Sequence, residues 1–85
     1  MAGIWPDQVE IDAAGDVALS AEVAAGLLGI PIEAFLADLR AGVVYSVVER
    51  GEGDDAGRLR LTLRRRATER VLVVEAATGR VIEAR

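Results

Sequence analysis

From Arg58 to Arg64 the chain reads RLRLTLR, leucine alternating with arginine or threonine. Successive side chains of a strand point to opposite faces. Leu59, Leu61 and Leu63 therefore share one face, and Arg58, Arg60, Thr62 and Arg64 share the other. Such a segment is stable only as part of a sheet with one covered face and one wet face. The same region concentrates the positive charge. Arg58 to Arg70 holds six Arg and one Glu, a formal +5, while residues 1–57 carry −9 and residues 71–85 are neutral.

The flanking segments supply partner strands. Val43 to Glu49, VVYSVVE, is β-branched and aromatic, and Val71 to Ala76 and Val81 to Ala84 are two further strand candidates. Ala67-Thr68 reads as a turn, and Ala77-Thr78-Gly79 as a hairpin loop with Gly79 left-handed. If Arg66 faces Glu69 and Ala76 faces Arg80, then Leu61, Leu63, Leu72, Val74 and Ile82 fall on one face. On the other face Arg60 meets Glu75, and Val73 meets both Thr62 and Glu83. Val43 to Glu49 is apolar on both sides. We set Val44, Ser46 and Val48 inward, and Tyr45 and Val47 outward.

Helix signals lie upstream. Ser20 suits an N-cap, Glu22 favours the positive end of the helix dipole, and Gly29 suits the left-handed C-terminal position. The stripe between them is Val23, Ala24, Leu27 and Leu28. Pro31 fits the first position of a second helix. Its buried stripe is Ile32, Phe35, Leu36 and Leu39, with Glu33, Asp38 and Arg40 toward water and Gly42 as the stop. Val9 to Ile11 is a short strand candidate after Trp5-Pro6, and Asp12 to Asp16 is a turn. The expected fold is α+β: a two-helix hairpin on one face of a small, mostly antiparallel sheet of three to five strands, one domain over residues 1–85.

Composition narrows the chemistry. Apolar residues at 52 % and charged residues at 28 % suit a globular chain. There is no Cys, His, Lys or Asn, a bias that fits a GC-rich genome. Without those types there is no Ser-His-Asp triad, no thiolate or imidazole zinc site, no Schiff base and no P-loop. The acidic loop with Glu52, Asp54 and Asp55 lacks calcium-loop spacing and reads as a solvated hairpin loop. The expectation is therefore not an enzyme, with no catalytic, cofactor or metal site. No apolar run reaches membrane-spanning length, and MAGIWPDQVEID lacks signal-peptide character. The chain reads as cytoplasmic, with no membrane partner.

Two surfaces remain as candidates. With one face of the sheet covered by helices, the other exposes Tyr45, Val47, Val71, Val73 and Val81. That is an apolar patch suited to a homodimer or a protein partner. Arginine and glutamate stems, or Ile4 and Trp5 from the N-terminus, would be the cover if the chain stays monomeric. Arg64, Arg65, Arg66 and Arg70 could touch phosphate at a hairpin tip. Against nucleic acid stand the net charge of −4 and a second helix with Glu33, Asp38 and a single Arg.

The run ERGEGDDAGRLRLTL, after a two-helix unit ending LRAG, resembles a family of small bacterial proteins grouped as a domain of unknown function. The pattern E-[RK]-G-x-G-x-D-x-G-[RK]-x-R-L-T-[FL] falls on Glu49, Arg50, Gly51, Gly53, Asp55, Gly57, Arg58, Arg60, Leu61, Thr62 and Leu63. The resemblance spans most of residues 9–83. The chain departs at Leu59 and Leu63, where aromatics are expected, and in lacking an Asp or Ser cap before Pro31. Residues 19–44 bear a weaker likeness to excisionase-type and MerR-type winged helices, on an Ala pair, Leu-Gly-Ile and a closing Gly. The family implies no activity. The expected role is a small non-enzymatic binding or oligomerisation module. The alternative is a degenerate winged-helix-like regulator that contacts nucleic-acid phosphates through Arg64 to Arg66.

Overall fold

Two helices and two antiparallel sheets make an α+β fold in the computed structural model, which describes residues 5–85. A two-stranded ribbon comes first, β1 (Glu10–Ile11) against β2 (Val17–Ala18). Between them the Asp12 carboxylate accepts from the N–H groups of Ala14 and Asp16, the local pairing that makes Asp a turn former. β2 carries no alternation to announce it; two residues are too few for a period.

Helix α1 (Ala21–Leu28) starts and stops as its sequence predicts. The Ser20 hydroxyl accepts from Val23 N–H at 3.1 Å, and Gly29 ends the helix at φ 70°. The buried residues are Ala24, Ala25, Leu27 and Leu28, so the stripe is rotated away from Val23, which is exposed. Helix α2 (Ile32–Arg40) follows, with Pro31 as its extended N-cap rather than its first helical residue. Phe35 is fully enclosed, but Ile32 and Leu39 are exposed and Leu36 is half-buried. A nine-residue helix at the border of the core can bury only the middle of its stripe.

The larger sheet runs in the order β3 (Val44–Arg50), β4 (Arg58–Arg65), β5 (Thr68–Glu75), β6 (Val81–Ala84), every pair antiparallel. Leu59, Leu61, Leu63, Leu72, Val74 and Val44 are buried with the helix residues and Val9 in one core. α1 lies nearest β5 and α2 nearest β3. Val48 packs at the margin of this core, and Ser46 shares its side of the sheet but is exposed.

Two pairings differ from expectation. β4 meets β5 with Leu61 opposite Leu72, Leu59 opposite Val74 and Leu63 opposite Arg70. The turn is Arg66-Ala67 rather than Ala67-Thr68, and Arg66 adopts φ 54°, the sign that primed hairpin turns require at their first central residue. The partner of each residue moves by two places. Every side chain keeps its face, which is why the alternation cannot tell the two registers apart. Arg60 thus lies between Glu49 and Val73, not opposite Glu75.

The second difference is a bulge. Val73 pairs with Glu83, but Val74 pairs with Val81, leaving Ile82 extra on β6. Val81 therefore turns to the core and Ile82 outward, the reverse of the expected arrangement. The hairpin before it closes through Glu75 N–H to the Arg80 carbonyl, with Gly79 at φ 78° as expected. Gly79 also lies under the N-terminal segment: Val9 N–H donates to its carbonyl at 2.8 Å, and an added Cβ would overlap the Val9 carbonyl oxygen.

Candidate interaction surface

The outer face is a mosaic of charge pairs around apolar side chains. Arg60, directly across from Glu49, donates to its carboxylate from Nε at 3.2 Å and from Nη2 at 2.9 Å. Arg64 sits between Tyr45 and Glu69 and pairs with the Glu69 carboxylate. Arg58 stands 3.7 Å from Asp55, and Arg85 pairs with Glu83. Glu75, opposite Arg58, accepts from Arg80 Nε at 3.0 Å and from the Thr78 hydroxyl at 3.2 Å. Those bonds hold its carboxyl below the ordinary glutamate value, the Arg80 bond most.

The five expected apolar residues do not share one fate. Tyr45 and Val47 stand about half exposed, at 51 % and 49 %. Val73 is half-buried. Val71 is on the outer face yet only 8 % exposed. It exchanges two backbone hydrogen bonds with Arg85 and lies in a shallow basin whose walls include Arg60, Arg64 and Arg85. Val81 belongs to the core margin because of the bulge. Of the five, those that stay exposed are therefore fewer than expected and lie on one strand, β3, while the bulge exposes Ile82 on β6 instead. Trp5 packs against the core and is no cover for this face; Ile4 lies outside the described residues.

The four arginines proposed for phosphate have mostly other partners. Arg65 falls on the inner side of β4, following Leu59, Leu61 and Leu63, and its Nε donates to Asp38 Oδ2 at 2.6 Å. Asp38 is thus not a solvated residue of α2. Arg70 is also on the inner side, opposite Leu63, and its Nε donates to the Leu27 carbonyl at 3.0 Å. A guanidinium at the last turn of α1 satisfies a carbonyl that the helix leaves free and complements its negative end. Arg64 is paired with Glu69. Of these four, only Arg66, exposed at the turn, has no side-chain hydrogen bond or ion pair among the described residues. Sequence reading missed Arg65 and Arg70 as struts. The available signal was parity, since both share the inward positions of the leucines.

Beside β3 the inner face has an open cleft of about 350 Å³ between sheet and helices. Phe35, Leu39, Val44, Tyr45, Ser46 and Leu63 are among its walls. At the other end of β3, Gly51 to Gly57 forms a closed loop around a 3-10 turn, Gly53–Asp55. Gly51 N–H donates to the Arg58 carbonyl at 2.9 Å, and a Cβ at Gly51 would overlap the Asp55 carbonyl oxygen, so the loop closes only around glycine. Among the described residues no three His, Cys, Asp or Glu side chains gather as a metal site, and no helix is long and apolar enough to cross a membrane.

A small α+β domain with one apolar strand exposed and its cations mostly paired is thus the object to be classified. The chain belongs to a family of unknown function, DUF6522, whose model matches residues 7–85. The match takes in the ribbon, both helices and the whole larger sheet. No curated protein and no solved structure matches the chain.

Proposed function

We propose that this chain is a small, cytoplasmic, non-enzymatic module that self-associates or docks on another protein. In this reading the helical hairpin covers one face of the sheet and the partner takes the apolar side chains left on the other. The observation that carries it is the half exposure of Tyr45 and Val47 on one strand, amid a surface whose charges are largely neutralised in pairs. Exposed aromatic side chains such as Tyr45 are common anchors of protein interfaces, and Val47 on the same face extends the apolar area beside it. Sedimentation tests the reading. The wild-type chain should be dimeric at micromolar to hundred-micromolar concentration, and Tyr45→Asp with Val47→Asp should give a folded monomer. A wild-type monomer at hundreds of micromolar would remove the self-association half of the proposal. Retardation of random duplex DNA, lost at modest salt and with Arg66→Ala, would favour the regulator reading in its place.

A further inference from the structure

The larger sheet has two edges, and they are built differently. β6 is short, carries the bulge at Ile82, and is overlaid at its start: Gln8 bridges Arg80, and Val81 N–H donates to the Asp7 carbonyl at 2.9 Å. Short strands, bulges and covering segments are the devices that keep sheet edges from pairing with other chains. β3 has seven residues, pairs among the described residues only with β4, and contains no proline and no bulge. Its two charged residues, Glu49 and Arg50, sit at one end. The stretch from Val44 to Val48 carries no device against pairing.

Hydrogen-bond parity shows which backbone groups that edge presents. Gly51 donates to Arg58, and this pair continues the β3–β4 register. Hydrogen-bonded pairs alternate along an antiparallel ladder. Tyr45, Val47 and Glu49 therefore spend their N–H and C=O groups on β4. Val44, Ser46 and Val48 direct theirs to the open edge.

The strand is also nearly symmetrical about Ser46: Val43-Val44-Tyr45-Ser46-Val47-Val48. We infer that two copies of this chain join antiparallel along β3, with a two-fold axis at Ser46, to make one sheet running through both. This rests on the self-associating module proposed above and names its surface. In that register Ser46 faces its own copy and Val44 faces Val48 of the other chain, each pair exchanging the hydrogen bonds the edge now leaves free. Tyr45 faces Val47 of the other chain, twice, as non-hydrogen-bonded pairs whose side chains lie closest. The half-exposed residues of the outer face thus cover each other. Moving the axis to Val47 or Val48 would set Tyr45 or Val47 against Glu49, which is already engaged by Arg60. Exposed Leu39, beside the cleft on the inner side, borders the same edge.

The test uses three variants and the wild-type chain. The chain has no cysteine, so Ser46→Cys introduces a single thiol. Cα atoms of a hydrogen-bonded pair stand ~5.5 Å apart, within disulfide range. Mild oxidation should convert Ser46→Cys to a covalent dimer, while Val73→Cys, in mid-face, should stay reduced. Ser46→Pro deletes an edge N–H that β4 does not use, and should give a folded monomer by sedimentation and circular dichroism. As a check that needs no variant, exchange of the Ser46 and Val48 amides should slow at least about tenfold between dilute and concentrated wild-type protein. A dimer that survives Ser46→Pro, cross-links through Val73→Cys and shows no such slowing overturns the edge pairing while leaving self-association intact. A wild-type monomer at hundreds of micromolar overturns both.

Discussion

Arg65 and Asp38 join the sheet to the second helix: Nε donates to Oδ2 at 2.6 Å, with the two side chains only 24 % and 18 % exposed. A pair this sheltered differs from the exposed pairs of the outer face. Solvent screens it less, and removing one member strands the other. Either Arg65→Ala or Asp38→Ala should lower stability by about 1–3 kcal/mol. A double-mutant cycle in urea should return a coupling of about 1–2 kcal/mol. Additive effects would mean that the two groups do not act together. Full stability in Arg65→Ala would return Arg65 to the set of free cations.

Phe35 and Leu39 lie four residues apart on α2, and periodicity assigns both to its buried stripe. The structure separates them: Phe35 is enclosed, while Leu39 is 49 % exposed beside the cleft. Phe35→Ala should cost about 3–5 kcal/mol, and Leu39→Ala under about 1 kcal/mol, in chemical denaturation of the monomer. Equal losses would place the helix wrongly against the sheet.

That contrast marks what is legible in this chain. Local physics was readable: the Ser20 cap, the left-handed Gly29 and Gly79, and the leucine alternation that puts Leu59, Leu61 and Leu63 on one face. Each depends on residues within a few places of one another. What was hidden depends on distant contacts. A two-place shift of β4 against β5 keeps every face, so hydrophobic pattern cannot register it. Only the turn conformation at Arg66 distinguishes the two registers. The bulge at Ile82 leaves no mark in VIEA, yet it exchanges Ile82 for Val81 in the core. Asp38 and Leu27 lie far along the chain from the arginines that reach them. Exposure on the outer face is accordingly half legible: Tyr45 and Val47 stand exposed as read, but Val71 and Val81 have cover that only the folded sheet creates.

Gly79 combines two demands. Its φ of 78° is costly for any residue with a side chain, and the Val9 carbonyl occupies the space a Cβ would need. Left-handed strain alone is about 1–2 kcal/mol. The overlap must further displace the N-terminal segment, breaking the bond from Val9 N–H to Gly79. Gly79→Ala should therefore cost at least about 2–3 kcal/mol and speed exchange at the Val9 amide. A substitution at Gly53, which is also left-handed but has open space around it, should cost only the strain. Equal losses at the two positions would show that the approach of Val9 contributes nothing.

Glu75 links the outer face to pH. Its bonds to Arg80 and Thr78 hold the folded-state carboxyl below the ordinary glutamate value, so the folded chain binds this proton less readily than the unfolded chain. A depressed carboxylate contributes stability that is fully present above the unfolded value. It is lost as pH falls through the ordinary glutamate range and on through the lower folded value. Glu75→Gln keeps the shape and the acceptor but removes the titration. Wild type should exceed Glu75→Gln in urea midpoint at neutral pH, and the gap should close as pH drops through that window. The side chain is exposed at the sheet surface, so raised salt should shrink the neutral-pH gap as well. A gap independent of pH from neutrality to strong acid would mean that the Arg80 contact does not discriminate between the two charge states.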